Sequence, residues 1–348
     1  MGNFFRSKTF VVLAVILGVL LLLAGLVSWY AYRLLWSPNF NAGKTVYVYV
    51  DERKDFTDLS RQLTDSAVCL NIETFKQLAQ FLEYPSAMRT GRYAVTSGMT
   101  NLELLNVLRR GQQTATRITF NNVRFLEDLA ERFDEQLMLS KESLFALWND
   151  SAYCASLGFN RETLKAFFIP NTYEVYWNIS AEGLMQRMQR EYDNFWTDDK
   201  KGKAKAIGLT PLEVATLASI VEEETAVLDE YPVVAGLYIN RLKRGMLLQA
   251  DPTVKYAVGD FALQRILFVH LEIDSPYNTY KYAGLPPAPL RIPSIQGLNA
   301  VLNYTHHNYL YMVAKEDFSG RHNFSVTLAE HNRHADRYRA ELNRRNIR

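Results

Sequence analysis

Residues 210–226 read TPLEVATLASIVEEETA, and the start of this stretch carries three separate helix signals. Thr210 is a good N-cap, Pro211 is tolerated at the first helical position, and Glu213 three residues after the cap completes a capping box. With the register set, the helix can be read as a wheel at about 100° per residue. Taking Leu217 as the centre, Val214, Ile220 and Val221 lie within roughly 60° of it and Glu224 about 20° away. Glu224 therefore projects with the apolar stripe. Glu222 and Glu223 fall roughly 140° and 120° from the centre on opposite sides, which makes them the solvated members of the triplet. A carboxylate on an apolar face is disfavoured when ionised, so burial raises its pKa and keeps a general acid protonated near neutral pH. Two other readings stay open on periodicity alone: the helix end frays and Glu224 turns into water, or Glu224 pairs with a buried arginine such as Arg241.

The surrounding chain has 348 residues, 48% hydrophobic and 22% charged, an ordinary globular composition with room for about two domains. Disordered, collagen-like and low-complexity classes are excluded. Lys plus Arg number 39 against 37 Asp plus Glu, and a net charge of +2 gives little electrostatic grip, so no nucleic-acid partner is expected. The two cysteines, Cys69 and Cys154, form no CxxC pair, which excludes a disulfide scaffold and a cysteine zinc ribbon. Among the six histidines, His331 and His334 stand at i and i+3 and His306 and His307 are adjacent, but no HExxH spacing joins them to acids. Neither a metal nor a cofactor is expected.

Residues 10–32, FVVLAVILGVLLLLAGLVSWYAY, carry no charge, and a helix of that length exceeds the roughly 30 Å hydrocarbon core of a bilayer. A cleavable signal peptide has a shorter apolar region and a small-x-small site, neither of which is present, so a retained single-pass anchor is expected. Arg6 and Lys8 precede the span, while Trp29, Tyr30, Tyr32 and Trp36 make an aromatic belt at its far end. The expected orientation puts residues 1–9 in the cytoplasm, at the inner membrane, and everything after the span on the periplasmic or extracellular side. Residues 33–44, with Pro38, Asn39, Asn41 and Gly43, read as a linker.

A small domain is expected over residues 45–113. TVYVYV and GRYAV alternate as strands, and helical spacing fills residues 56–63, 74–82 and 101–109. Strand, helix, helix, strand resembles a LysM-like glycan-binding module, with a spacer or docking role as the alternative. Residues 117–348 read as one larger α+β domain without a repeat period. The expected fold class is thus α+β throughout the exported part.

Beyond these patterns, LASIVEEETA, then VVAGLYINRLKRGMLLQADPTVKYAVG, SPYNTYKYAGLPPAP, FIPNTY at 168–173 and HNFSVTLAEHN at 322–332 together resemble the endolytic murein transglycosylase (YceG-like) family. The resemblance implies a membrane-anchored lyase that cuts the β-1,4 bond between N-acetylmuramic acid and N-acetylglucosamine inside nascent glycan strands. The ends it leaves would be 1,6-anhydro, and strand elongation would be limited. It implies Glu224 as the catalytic acid, the second Glu of the family's V-E-x-E-T motif, with Glu222 accompanying it. Peptidoglycan synthases, the penicillin-binding proteins, are the implied partners. The chain departs from the family pattern at Glu223, where Lys is common, and at Phe168, Ile169 and Tyr173, where more Trp is seen; the second change is expected to alter sugar stacking.

In such a cleft Gln249, Tyr277, Asn278, Thr279, Tyr280, Asn171 and Asn332 are the candidate substrate-binding residues beside Glu222. The loop containing Tyr277 to Tyr280 offers donors and aromatic faces next to a turn stiffened by Gly284, Pro286 and Pro287. Asp251 before Pro252 reads equally as a helix N-cap. His322 and Phe324 are cleft neighbours without an assigned role. One carboxyl can serve both half-reactions of an intramolecular transfer, whereas an ordinary glycoside hydrolase needs two at defined spacing. A two-carboxylate hydrolase and a non-catalytic wall-binding scaffold are the rival functions.

Overall fold

A computed structural model describes residues 8–66, 69–263 and 265–345. The chain is mixed α and β, mostly helical, with three two-stranded sheets among the described residues. It divides into two compact units: residues up to Arg117 together with Glu174–Ile179, and Ile118–Tyr173 together with Ser180–Arg348.

The first unit begins with α1 (Lys8–Leu35). Within its stretch Phe10–Leu35 the most apolar 18-residue window has a mean hydropathy of 3.2 and is not buried in the protein, so the helix is long and apolar enough to cross a membrane, while Leu34 and Leu35 at its end pack against the core of this unit. The segment expected in the cytoplasm, residues 1–9 with Arg6, lies outside the described residues but for the backbone where α1 starts.

Strand β1 (Val46–Val50) pairs antiparallel with β2 (Gly91–Val95), Val46 opposite Val95 and Val50 opposite Gly91. The alternation seen in the sequence puts Val48, Val50, Tyr93 and Val95 inside at 2% exposure or less. Between the strands run α2 (Phe56–Asp65) and α3 (Ile72–Phe81), capped by Asp55 and Asn71, and α4 (Asn101–Arg110) follows behind a capping box of Thr100 and Glu103.

The stretch read as a linker is largely structural. Helix α1 continues to Leu35, and Phe40 and Ala42 are buried in the core of this unit. Asn39 donates to Asn101 Oδ1 at 2.7 Å, and Asn101 donates to the Leu34 carbonyl at 3.1 Å. Pro and Asn punctuation signals only that the chain turns. The apolar contacts of Phe40 decide that it turns inward.

The division between the units falls in the ribbon of β3 (Thr116–Thr119) and β4 (Thr172–Val175). In the second unit α5 (Leu126–Gln136), α6 (Lys141–Asn149), α7 (Ser151–Ser156), α8 (Ala181–Phe195) and α9 (Asp198–Ala206) lead to α10 (Pro211–Glu224). Thr210 and Glu213 form the capping box read from the sequence, with Pro211 at the first position. Every residue from Val214 to Val221 is buried, so α10 is apolar all round and forms the centre of the core. The wheel's single stripe was too narrow. Its polar members bond locally: Thr216 to the Leu212 carbonyl, Ser219 to the Thr216 carbonyl, and Ser219 Oγ also accepts from Leu290 N–H.

Around α10 pack α11 (Tyr231–Lys243), α12 (Asp251–Val258) and α14 (Ile295–Leu302), with a short α13 (Phe268–Leu271) between the last two. Strands β5 (Tyr311–Ala314) and β6 (His322–Ser325) form an antiparallel hairpin with Ala314 opposite His322, and α15 (Leu328–Arg344) closes the fold.

Candidate active site

Glu224 is the last residue of α10, and it lines a pocket of about 260 Å³ with Leu237, Tyr238 and Arg241 of α11, Leu248, Gln249, Asp251, Tyr280, and the β5–β6 hairpin residues Met312 to Ala314 and His322. Its Oε1 accepts a 2.5 Å hydrogen bond from the Tyr238 hydroxyl. Burial raises the carboxyl from its usual 4.5 to about 7; the Tyr238 hydrogen bond opposes the rise, the Asp251 charge adds to it, and Arg241 and Lys255 oppose it. The C-terminal end of a helix also disfavours an anion, in the same direction as burial. Tyr238 is itself buried and its pKa is pushed well above the usual value, so it stays a donor.

The frayed-end alternative does not describe this helix. Nor does an ion pair with Arg241: that guanidinium gives Nε–H to the Leu310 carbonyl at 2.6 Å and Nη1–H to the Leu247 and Leu248 carbonyls and to Gln249 Oε1. Arg241 thus holds the pocket wall and contributes only a nearby positive charge.

The other two glutamates differ from the wheel's expectation of solvated side chains. Glu222 is buried at 5% side-chain exposure; its Oε1 accepts from Ser294 N–H at 2.7 Å and Ser294 Oγ–H at 2.5 Å, and Arg291 lies 3.7 Å from Oε2. Burial still pushes its pKa up against those hydrogen bonds. Ser294 is the N-cap of α14, so Glu222 ties that helix to α10. Gly297 is what lets it sit there, since a Cβ at 297 would meet Glu222 Oε1 at 2.1 Å. Glu223 pairs with Arg124 at 2.8 Å and Arg291 at 3.1 Å. A wheel carries no information about cations that arrive from residues 124 and 291.

Of the remaining candidates, Gln249 and Tyr280 line the pocket with Glu224. Gln249 adopts φ +50°, donates its N–H to the Thr279 carbonyl at 3.1 Å, and uses its Oε1 on Arg241. Tyr280 donates to Asp251 Oδ1 at 2.6 Å. Asp251 is the first residue of α12, one past the N-cap Ala250, and so does not cap it.

Tyr277 turns elsewhere. It lines a second pocket with Lys165, Glu162 and Tyr256, and its hydroxyl donates to Glu162 at 2.8 Å. Asn278 and Thr279 are buried braces: Asn278 donates to the Leu271 and Ile273 carbonyls, while Thr279 Oγ1 accepts from Ala250 N–H and meets Thr253 Oγ1 at 2.8 Å. Neither lines the pocket, because a loop that places Tyr280 must first satisfy its own backbone. Asn171 and Asn332 are exposed and lie outside the pocket lining. Phe168, Ile169 and Tyr173 are core residues, with the Tyr173 hydroxyl bonded to the Ile169 carbonyl, and present no face for stacking a sugar.

Sequence reasoning left out Tyr238 altogether. The signal was present: a tyrosine on an otherwise apolar buried helix must find a partner for its hydroxyl. Asp251 reads from the sequence as an N-cap or as the second carboxylate of a hydrolase, and His322 carries no assigned role there, since nothing local says that their side chains line the Glu224 pocket.

Comparison with known proteins places this geometry in context. The model of the YceG-like family matches residues 48–337. A Bacillus subtilis protein named endolytic murein transglycosylase is 30% identical over 290 residues, covering 78% of this chain and 79% of the relative. A Streptococcus pneumoniae protein of the same name is 26% identical and covers 93% of this chain, which spans 64% of that relative's length. The crystal structure of a YceG-like protein from Listeria monocytogenes matches with a TM-score of 0.55 at 26% identity, over 83% of this chain and 98% of the other. With the family model and these relatives running through the helix that carries Glu224, the chain belongs to the YceG-like family, in which the relatives named here are endolytic murein transglycosylases.

Proposed function

We propose that the protein is a membrane-anchored lytic transglycosylase that cuts peptidoglycan strands internally, with Glu224 as its catalytic acid. The observation that carries this reading is the Glu224 carboxyl, raised to about 7 inside a pocket of about 260 Å³ and hydrogen-bonded to Tyr238. A group with that pKa is present in both protonation states at neutral pH, which suits an acid that becomes a base within one turnover. Protonated Glu224 gives its proton to the glycosidic oxygen as the C1–O bond breaks. The resulting carboxylate then takes the proton of the muramoyl C6 hydroxyl as that oxygen bonds to C1, closing the 1,6-anhydro ring and restoring the acid. No water is consumed.

Gln249 and Tyr280 are the candidate glycan contacts in this pocket, and Glu222 acts at a distance by fixing α10 against α14. The apolar helix α1 serves as a retained anchor with its amino terminus in the cytoplasm, holding both units on the outer face of the membrane, where nascent strands and the synthases that make them are found. The first unit, a strand-helix-helix-strand module followed by α4, serves as a LysM-like glycan-docking part.

Asp251 in the same pocket favours a second reading, a hydrolase using two carboxylates. Mass spectrometry of uncrosslinked glycan strands after digestion by the full chain in detergent separates the two. Internal cuts with 1,6-anhydro ends, absent with Glu224→Gln, are expected; reducing ends would assign the hydrolase, and intact but retained strands would assign a scaffold.

A further inference from the structure

Beside the end of α10 stands a pair that the reaction above leaves unused. Glu230 sits in the short turn before α11 and is 5% exposed. Its carboxylate accepts three hydrogen bonds: His322 N–H at 2.9 Å on Oε1, and His322 Nδ1 at 2.9 Å and Thr225 Oγ at 3.2 Å on Oε2. Among the described residues no lysine or arginine reaches it within ion-pair distance, so His322 is the cation-capable group beside this buried carboxylate. Thr225 follows Glu224 directly, and the same carboxylate therefore ties the end of α10 to the first residue of β6.

The double hold on His322 has a directional consequence. With Nδ1–H given to Glu230, the tautomer is set and Nε2 is left on the far side of the ring. His322 lines the Glu224 pocket, and no hydrogen-bond partner for Nε2 is found among the described residues. Phe324, two residues along β6, stacks on Tyr309 at 5.6 Å between ring centroids, against the core, and lies 6.3 Å from the His322 ring. A purely structural tie between β6 and the turn would need only the main-chain N–H. Fixing the ring as well costs side-chain freedom and burial of a carboxylate, and what it produces is an oriented imidazole in the pocket wall with Nε2 unengaged among the described residues.

The geometry points to His322 as a substrate-binding residue whose Nε2 hydrogen-bonds the glycan in the Glu224 pocket, with Glu230 as its positioning residue. This rests on the transglycosylase reading. Two variants separate the two nitrogens of the ring. His322→Asn keeps a donor at the depth of Nδ1, facing Glu230, and removes the group at the depth of Nε2. His322→Gln does the reverse.

With the full chain in detergent and uncrosslinked glycan strands as probe, His322→Asn is expected to raise KM about five- to tenfold with kcat within about twofold of wild type. His322→Gln is expected to restore part of the loss, since it keeps a group at the depth of Nε2 but lacks the one that Glu230 holds. Glu230→Gln is expected to raise KM in the wild-type background and to add nothing in His322→Asn. A wild-type KM in His322→Asn, or His322→Gln performing no better than His322→Asn, overturns the assignment.

Binding of labelled strands to Glu224→Gln and to Glu224→Gln/His322→Asn, followed by fluorescence anisotropy, reads the contact without turnover. Weakening of Kd about fivefold supports it and equal affinities overturn it. If wild type makes no anhydro ends while this difference persists, the proposed reaction fails and the contact stands. If strands bind neither variant, the glycan reading fails and the contact with it.

Discussion

Replacing Glu224 by Gln removes a carboxyl whose pKa in the folded protein lies at about 7 instead of the usual 4.5, chiefly because it is buried. The folded state therefore holds this proton more tightly than the unfolded chain does. Below about pH 4.5 both states are protonated and the group contributes its full stabilisation relative to the ionised form. As pH rises the unfolded chain ionises first, and that stability is lost progressively until the folded pKa is passed near 7. At about 1.36 kcal/mol per pH unit, the loss amounts to about 3 kcal/mol. Gln stays neutral throughout and avoids it. Glu224→Gln should therefore abolish turnover and stabilise the protein above pH 7, with a gap over wild type that grows from near zero at pH 4.5 to about 3 kcal/mol at pH 8. Urea unfolding of the full chain in detergent, followed by tryptophan fluorescence with Trp148 and Trp196 buried in this unit, measures the gap. Other titrating groups cancel in the difference. A constant offset between the two proteins, or a gap that closes as pH rises, would refute the claim that burial holds the Glu224 proton.

Three further outcomes follow from the same contacts. Tyr238→Phe removes the hydrogen bond that stabilises ionised Glu224, so the alkaline limb of the kcat/KM profile should move to higher pH by about one unit, and a limb that stays or moves down would show that Tyr238 does not tune the acid. Gly297→Ala should expel the Glu222 carboxylate from Ser294 and lower stability by about 2 kcal/mol in thermal unfolding, and Glu222→Ala in that background should recover part of the loss because the clash is gone. Phe40→Ala, inside the stretch read as a linker, should cost about 3–5 kcal/mol and open the first unit to limited proteolysis; a wild-type digestion pattern would return residues 33–44 to the status of a tether.

The site was legible in part, and the boundary has a physical cause. Glu224 was singled out by a wheel that misjudged the helix around it. The wheel assumed one buried face, whereas α10 is buried on all sides, and Glu224 stands apart because the pocket opens at the end of that helix. The same wheel sent Glu222 and Glu223 to solvent, and Ser294, Arg291 and Arg124 bring them in. Of the four candidates Tyr277 to Tyr280 in the loop SPYNTY, Tyr280 alone lines the pocket, because Asn278 and Thr279 are consumed in satisfying buried backbone groups and Tyr277 faces Glu162.

By itself the sequence determined whatever depends on neighbours a few residues apart: the long apolar span, the strand alternation at 46–50 and 91–95, and the capping box at Thr210 that starts the helix carrying Glu224. These follow from periodicity and from side chains that bond their own backbone. Only the tertiary structure decided which carboxyl is buried beside Tyr238, that Phe40 folds inward, and that Glu230 holds His322 where it lines the same pocket. Those outcomes depend on desolvation and on partners 14 and 92 residues away in sequence, and no local pattern encodes either.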